Sequence, residues 1–174
     1  MQKKRKRRKE VNMSFRLEPK DAVDNSVQEL SKVLLARFGL LPRKKDSSAN
    51  MHDLLLELYE RKKASNREKK PELAVMPVEE MALFAGIKRQ TMYDYLHRWL
   101  ELQILKKTSF VSEGKVVIGY ELNGNNLEGA FRKAESTIKG HMDQTFRVIE
   151  QLQNEIKKGK LRKNISDQEG QEEG

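Results

Sequence analysis

Residues 79–105, EEMALFAGIKRQTMYDYLHRWLELQIL, decide how this chain folds. Pro77 stands just ahead of them, Glu79 and Glu80 follow as an acidic first turn, and Gly86 closes the run. Proline is pre-set for a first helical position, and carboxylates complement the positive end of the helix dipole. Glycine takes the left-handed backbone that ends a helix. The pattern predicts a short helix over 77–86 and a second over 88–103. Ala82 is the small residue at which two helices can cross closely, and Gly86 is the turn between them. Met81, Ala85, Ile87, Met92, Tyr95, Leu96 and Trp99 are the apolar residues that fix the pair to each other and to a core. Once these face inward, Lys88, Arg89, Gln90, Thr91, Tyr93, Asp94 and His97 remain on the outer face of the second helix.

Downstream, the period changes from helical to alternating. KKTSFVS (106–112), a turn at EGK (113–115) and VVIGYELN (116–123) read as a β-hairpin. Glu113-Gly114 supplies the turn, and Val116, Val117, Ile118 and Tyr120 are strong strand formers. This order resembles the winged helix-turn-helix regulators of bacteria and archaea, in which a pattern of the form LA…xxxGIxRxTxYxYLxxLxxxGIL recurs. The matching residues run from Leu83 to Leu105, with 106–122 as the wing, somewhat under half of the chain. The match departs at Gln103, where many relatives have glycine.

The resemblance implies that the second helix is a recognition helix whose N-terminal half enters the major groove of DNA. Lys88 and His97 then lie on the reading face, Arg89 forks onto a guanine edge, and Gln90 forks onto an adenine edge. Thr91 and Tyr93 bond phosphate oxygens or touch a thymine methyl. At the wing, Lys106, Lys107, Ser112 and Lys115 meet phosphates or the minor groove. Asp94 is unfavourable beside phosphate, and its other partners would be a cytosine or a neighbouring arginine.

Charge points the same way. Lys and Arg number 35 against 26 Asp and Glu, for a net charge of +9. Residues 2–10, QKKRKRRKE, carry +6 and the last ten carry −4, so the segment between them is still +7. A basic excess away from the tails favours a polyanion partner, nucleic acid first. The chain has no cysteine, which excludes disulfides, thiolate zinc sites and cysteine nucleophiles. His52, His97 and His141 lie far apart with no metal-ligand spacing, and neither a glycine-rich phosphate loop nor a G-x-S-x-G nucleophile motif occurs. No metal, cofactor or catalytic group is expected. No apolar run is long enough for a membrane span, and the basic start is not followed by an apolar stretch as a secretory signal would be. The expected location is cytoplasmic, on the nucleoid.

The flanks complete the organisation. Residues 1–12 read as a disordered basic tail that adds salt-sensitive affinity for phosphates, or else as a solubilising segment. Within 13–49, a helix opens at Pro19 or Asp21 and runs to Phe38, with Val23, Val27, Leu30, Val33, Leu34 and Phe38 as its apolar stripe and Gly39 as its stop. A loop, LLPRKKDSSAN, follows. Asn50 caps a helix from Met51 to Lys63 with Leu54, Leu55, Leu58 and Tyr59 on one face, and KKASNREKKPE is an exposed connection. Residues 50–122 form the winged helix-turn-helix domain. Residues 123–160 form one long amphipathic helix with Leu127, Phe131, Ala134, Ile138, Met142, Phe146, Ile149, Leu152 and Ile156 on its stripe. Leu127, Ile138 and Ile149 are eleven apart, which tracks a straight or weakly right-handed stripe. Such a stripe needs a partner, the helix of 20–38 or a second subunit. Residues 161–174 read as a disordered acidic tail.

The expected fold is mainly α with a small β-hairpin, a winged helix-turn-helix with an N-terminal helix and a long C-terminal one. The expected function is that of a homodimeric regulator on double-stranded DNA, most plausibly a repressor, whose two recognition helices reach half-sites on the order of 34 Å apart. The rival readings are a nucleoid-organising protein, a winged-helix adaptor that docks proteins, and an RNA-binding protein. Few exposed aromatic residues are present for single strands to stack on. Whether a small molecule tunes the protein is left open by the sequence.

Overall fold

The computed structural model describes residues 21–172. The basic tail 1–12 and Pro19 lie outside them. Helix α1 is Val27–Arg37, α2 Met51–Glu68, α3 Val78–Ala85 and α4 Arg89–Glu101; strands β1 Leu105–Ser112 and β2 Lys115–Leu122 follow, and α5 is Leu127–Glu172. Two single 3-10 turns, Lys44–Asp46 and Pro71–Ala74, lie in the connections. The protein is therefore mainly helical, with one antiparallel hairpin and a long C-terminal helix. By contact density it divides at Lys133/Ala134 into two units.

The core of the first unit is built from the residues that the helical period marked. Leu54, Leu55 and Leu58 of α2, Met81 and Ala85 of α3, and Met92, Leu96 and Trp99 of α4 are buried, joined by Ile104 just before the hairpin and by Leu105 and Leu122 within it. Arg61 of α2 ties α2 to α3 through an ion pair with Glu80 and is held in place by Glu57 of its own helix. The backbone N–H of Asn50 donates to the carbonyl of Ala85 at 2.9 Å, so the entry to α2 is fixed to the end of α3. Asn50 is the N-cap residue of α2, yet its side chain accepts no capping hydrogen bond.

Helix ends follow one device. At Gly39, Lys69, Gly86 and Gln103 the backbone turns left-handed, with φ between 55° and 67°. The next residue's N–H reaches back to a carbonyl in the last turn: Leu40 to Leu35, Lys70 to Ser65, Ile87 to Ala82 and Ile104 to Trp99. These bonds satisfy carbonyls that a helix end otherwise leaves orphaned. Two of the four positions are glycine, as read from the sequence. Lys69 and Gln103 are not.

The hairpin pairs Leu105 with Leu122 through Ser112 with Lys115. Its two-residue turn, Glu113 and Gly114, has φ of 49° and 73°, the primed geometry that matches strand twist. The run before α3 adds a single β-bridge to the hairpin. Met76 exchanges two 2.9 Å backbone hydrogen bonds with Tyr120, which places the hairpin against the start of α3. Gly119 permits this approach, since a Cβ there would stand 2.9 Å from the backbone of Met76.

Several sequence-based boundaries shift. Helix α1 starts at Val27, not near Asp21, because Ser26 caps it by accepting from the N–H of Glu29 at 3.2 Å. Its buried side is Val33, Leu35 and Ala36; of the expected stripe Val33 is buried, Leu34 and Phe38 are half-buried, and Val23, Val27 and Leu30 are exposed. Helix α2 continues to Glu68, five residues beyond its expected end at Lys63, since Ala64, Arg67 and Glu68 are good helix formers. Pro77, expected as the first helical residue, is the N-cap of α3, so the helix starts one residue later, at Val78.

Helix α5 begins at Leu127, where Asn126 Oδ1 accepts from the N–H of Gly129 at 2.8 Å. Phe131 packs edge-on against Phe38, with ring centroids 4.9 Å apart. The helix runs on to Glu172, so the segment from 161, expected to be a disordered acidic tail, is helical through that residue. No proline interrupts it, and Lys163 and Asp167 have the i,i+4 spacing that supports a helix. In the second unit, Met142, Phe146, Ile149, Leu152 and Ile156 are between 43% and 63% exposed. No described helix is long and apolar enough to cross a membrane.

Candidate nucleic-acid interface

Helix α4 presents the candidate site because its two faces are chemically opposite. Met92, Tyr95, Leu96 and Trp99 are buried at three- and four-residue steps, which turns Arg89, Tyr93 and His97 outward at i,i+4 spacing. Lys88 is the N-cap with extended backbone, and Lys88, Arg89 and Gln90 are all exposed. Thr91 is half-buried in a shallow depression of about 490 Å³ that also touches Asp46, Leu83 and Lys88.

On its other side, α4 forms a groove of about 430 Å³ with the hairpin, lined by Glu79, Arg89, Tyr93, Lys107, Val116 and Ile118 among others. Strand alternation decides which wing lysines share it. Lys107 pairs across the ladder with Tyr120 and lies on the groove side. Lys106, its neighbour, points to the opposite face, where its Nζ is 3.0 Å from Glu121 Oε1. The other oxygen of Glu121 takes Lys62 Nζ at 3.0 Å. Ser112 and Lys115 are cross-strand partners at the hairpin tip, in register with the Lys106 face rather than the Lys107 face. The structure thus gathers Lys88, Arg89, Gln90, Tyr93 and Lys107 around α4 and the groove, whereas Lys106 is committed to a carboxylate elsewhere. His97, further along α4, sits 3.1 Å from Glu101.

Arg89 is itself engaged. Its Nε lies 2.8 Å from Glu79 Oε1, its Nη2 donates to Tyr93 Oη at 3.2 Å, and its guanidinium stands 5.4 Å from the Tyr93 ring centroid. Asp94 is answered by the second of its two expected alternatives: Arg43 Nη2 is 3.2 Å away.

Arg43 belongs to a network that joins the loop before α2 to the buried side of α4. Arg43 Nε bonds Asp46 Oδ2 at 3.0 Å, Tyr95 Oη donates to the same oxygen at 2.7 Å, and Tyr95 Oη accepts from the backbone N–H of Arg43 at 2.9 Å. The hydroxyl of Tyr95, then the Arg43 guanidinium, hold the Asp46 carboxyl below the usual carboxylate range. The network carries the exposed Lys44 and Lys45 on the 3-10 turn beside Asp46. Sequence reasoning left these two lysines in a featureless loop. Only the PRKKD charge run marked them, and nothing local said that the loop docks on α4.

Compared with known proteins, the chain matches no family model, and no curated protein or solved structure shows significant similarity to it.

Proposed function

We propose that this protein binds double-stranded DNA as a homodimeric transcriptional regulator, with α4 in the major groove and the hairpin along the backbone. One observation carries the reading: Lys88, Arg89 and Gln90 stand exposed together at the N-terminal turn of a helix whose opposite face is buried. Arginine and glutamine there have the donor geometry for guanine and adenine edges. Lys88 beside them and Lys107 across the groove supply positive charge for phosphates, and the exposed Lys44 and Lys45 add to it on the 3-10 turn beside Asp46. The repressor role and the nucleoid location follow from occupancy of a promoter site.

Pairing would use the stripe of α5 from Met142 to Ile156. A single helix cannot cover its own apolar side, and a second copy offers a stripe of the same length in a closed, two-fold contact. Two linked copies then bind two half-sites, which multiplies modest single-site affinity.

Selection of bound duplexes from a random pool at moderate salt tests the reading. A motif with two-fold symmetry is expected. Changing Lys88 and Arg89 to Ala should weaken binding to the selected duplex by about tenfold or more, since a bidentate arginine–guanine contact alone is worth roughly 1–3 kcal/mol. Unchanged affinity in a gel-shift titration would remove α4 from the interface.

A further inference from the structure

Among the carboxylates around the face that the DNA reading uses, the fold treats Asp94 and Glu79 differently. Asp94 is paired with Arg43, and the two side chains are 30% and 22% exposed. Arg43 is further fixed by Asp46 at 3.0 Å and lies 5.2 Å from the Tyr95 ring centroid, so this pair is built into the scaffold. Glu79 is paired with Arg89 at 2.8 Å, and those side chains are 61% and 60% exposed. Its counter-ion is the residue placed to touch a base. Asp94 keeps its partner when DNA arrives, but Glu79 and the nucleic acid must compete for the same guanidinium.

We propose that Glu79 is a specificity-determining residue that withholds Arg89 from phosphates and yields it to a guanine edge. The proposal rests on the DNA-binding reading above. On a non-cognate duplex, Arg89 exchanges one anionic oxygen for another and leaves Glu79 bare beside the backbone phosphates, so it stays where it is. On a cognate duplex, two parallel hydrogen bonds to guanine O6 and N7 offset that loss. Glu79 therefore removes one cationic contact from non-cognate binding and leaves cognate binding closer to its full value. The Tyr93 ring, on which the guanidinium already rests, allows the side chain to swing without losing its stacking partner.

The test compares the parent chain, E79Q, R89A and E79Q/R89A on a selected duplex and on a random-sequence duplex of equal length. Binding is measured by fluorescence anisotropy from low to moderate salt, with thermal melts to verify folding. E79Q should tighten non-cognate binding about two- to fivefold, the range for releasing an exposed ion pair. Its plot of log affinity against log salt should steepen by about 0.9, the increment for one more neutralised phosphate. Cognate binding should change less, so discrimination falls. In the R89A background the effect of E79Q should shrink to near zero. An E79Q that leaves the non-cognate affinity and slope unchanged overturns the proposal. So does an E79Q effect of full size without Arg89, which would make Glu79 a general repulsive charge. A parent that binds every duplex alike refutes the selectivity while DNA binding survives. A parent that binds no duplex at low salt refutes both.

Discussion

Helix α4 ends on a residue that its backbone does not suit, and the cost can be measured. Gln103 has φ of 59°. Its N–H bonds the carbonyl of Leu100 at 3.0 Å, and the N–H of Ile104 bonds that of Trp99 at 3.1 Å, the two reverse bonds of a left-handed helix stop. Ile104 and Trp99, buried together, supply the apolar contact that accompanies it. The left-handed backbone costs a residue with a Cβ roughly 1–2 kcal/mol, while glycine forfeits about 0.5–1 kcal/mol of unfolded-chain entropy. Gln103→Gly should therefore stabilise the protein by about 0.5–1 kcal/mol. The bond from Asn123 Nδ2 to the Gln103 carbonyl, 2.9 Å, is to the backbone and survives the change. Gly86→Ala supplies the converse, because a Cβ there meets nothing within 4 Å and only the positive φ of 67° is penalised. It should cost about 1 kcal/mol. Urea unfolding gives both values from shifts in midpoint at constant slope, and calorimetry should show about 2–4 °C per kcal/mol. A Gln103→Gly protein that is no more stable than the parent, beside a Gly86→Ala protein that is destabilised as expected, would refute the backbone argument at 103.

Other consequences can be checked in the same way. Tyr95→Phe removes the hydroxyl that bonds Asp46 and the Arg43 amide, and should cost about 1–3 kcal/mol in urea unfolding by stranding the partly buried partners. Because the Asp46 carboxyl is held below its ordinary range in the folded protein, its contribution is present above about pH 4 and lost as pH falls through the folded value; Tyr95→Phe should flatten that acid limb, and an unchanged limb would count against the network. Gly119→Ala drives a Cβ against Val75 and the Met76 backbone and should cost about 1–3 kcal/mol, seen as a lower melting temperature with loss of hairpin amide protection. Ile149→Asp should convert a dimer to monomer by sedimentation without changing the melt of the first unit; an unaltered sedimentation coefficient would show that the stripe does not hold two copies together.

What the sequence made legible was whatever repeats. The helix, turn, helix and hairpin over 77–122 were readable because each carries a period, a glycine or a primed turn, and the buried residues of α4 follow from that period alone. The misplaced features are those decided by single local contacts or by distant ones. Ser26 and Glu29 have the S-x-x-E spacing of a helix start, and that local contact, rather than the proline upstream, sets where α1 begins. Lys69 and Gln103 stop their helices without glycine, which no local pattern announces. The pairing of Tyr95 with Asp46 spans 49 residues.

The same distinction explains why the candidate site is a subset of the basic residues counted along the chain. Charge counts treat Lys106 and Lys107 as equivalent neighbours, but a strand sends them to opposite faces, and a carboxylate claims Lys106. The same counts pass over Lys44 and Lys45, whose place beside α4 is fixed by Arg43 only after the chain has folded. An electrostatic surface is thus a tertiary property: the sequence supplies the charges, and the ion pairs at Glu121, Asp94 and Glu79 decide which of them remain to be offered. Of those three carboxylates, only Glu79 holds a cation that the proposed interface needs back, which is why the strength of that one exposed pair should control how sharply the protein distinguishes one duplex from another.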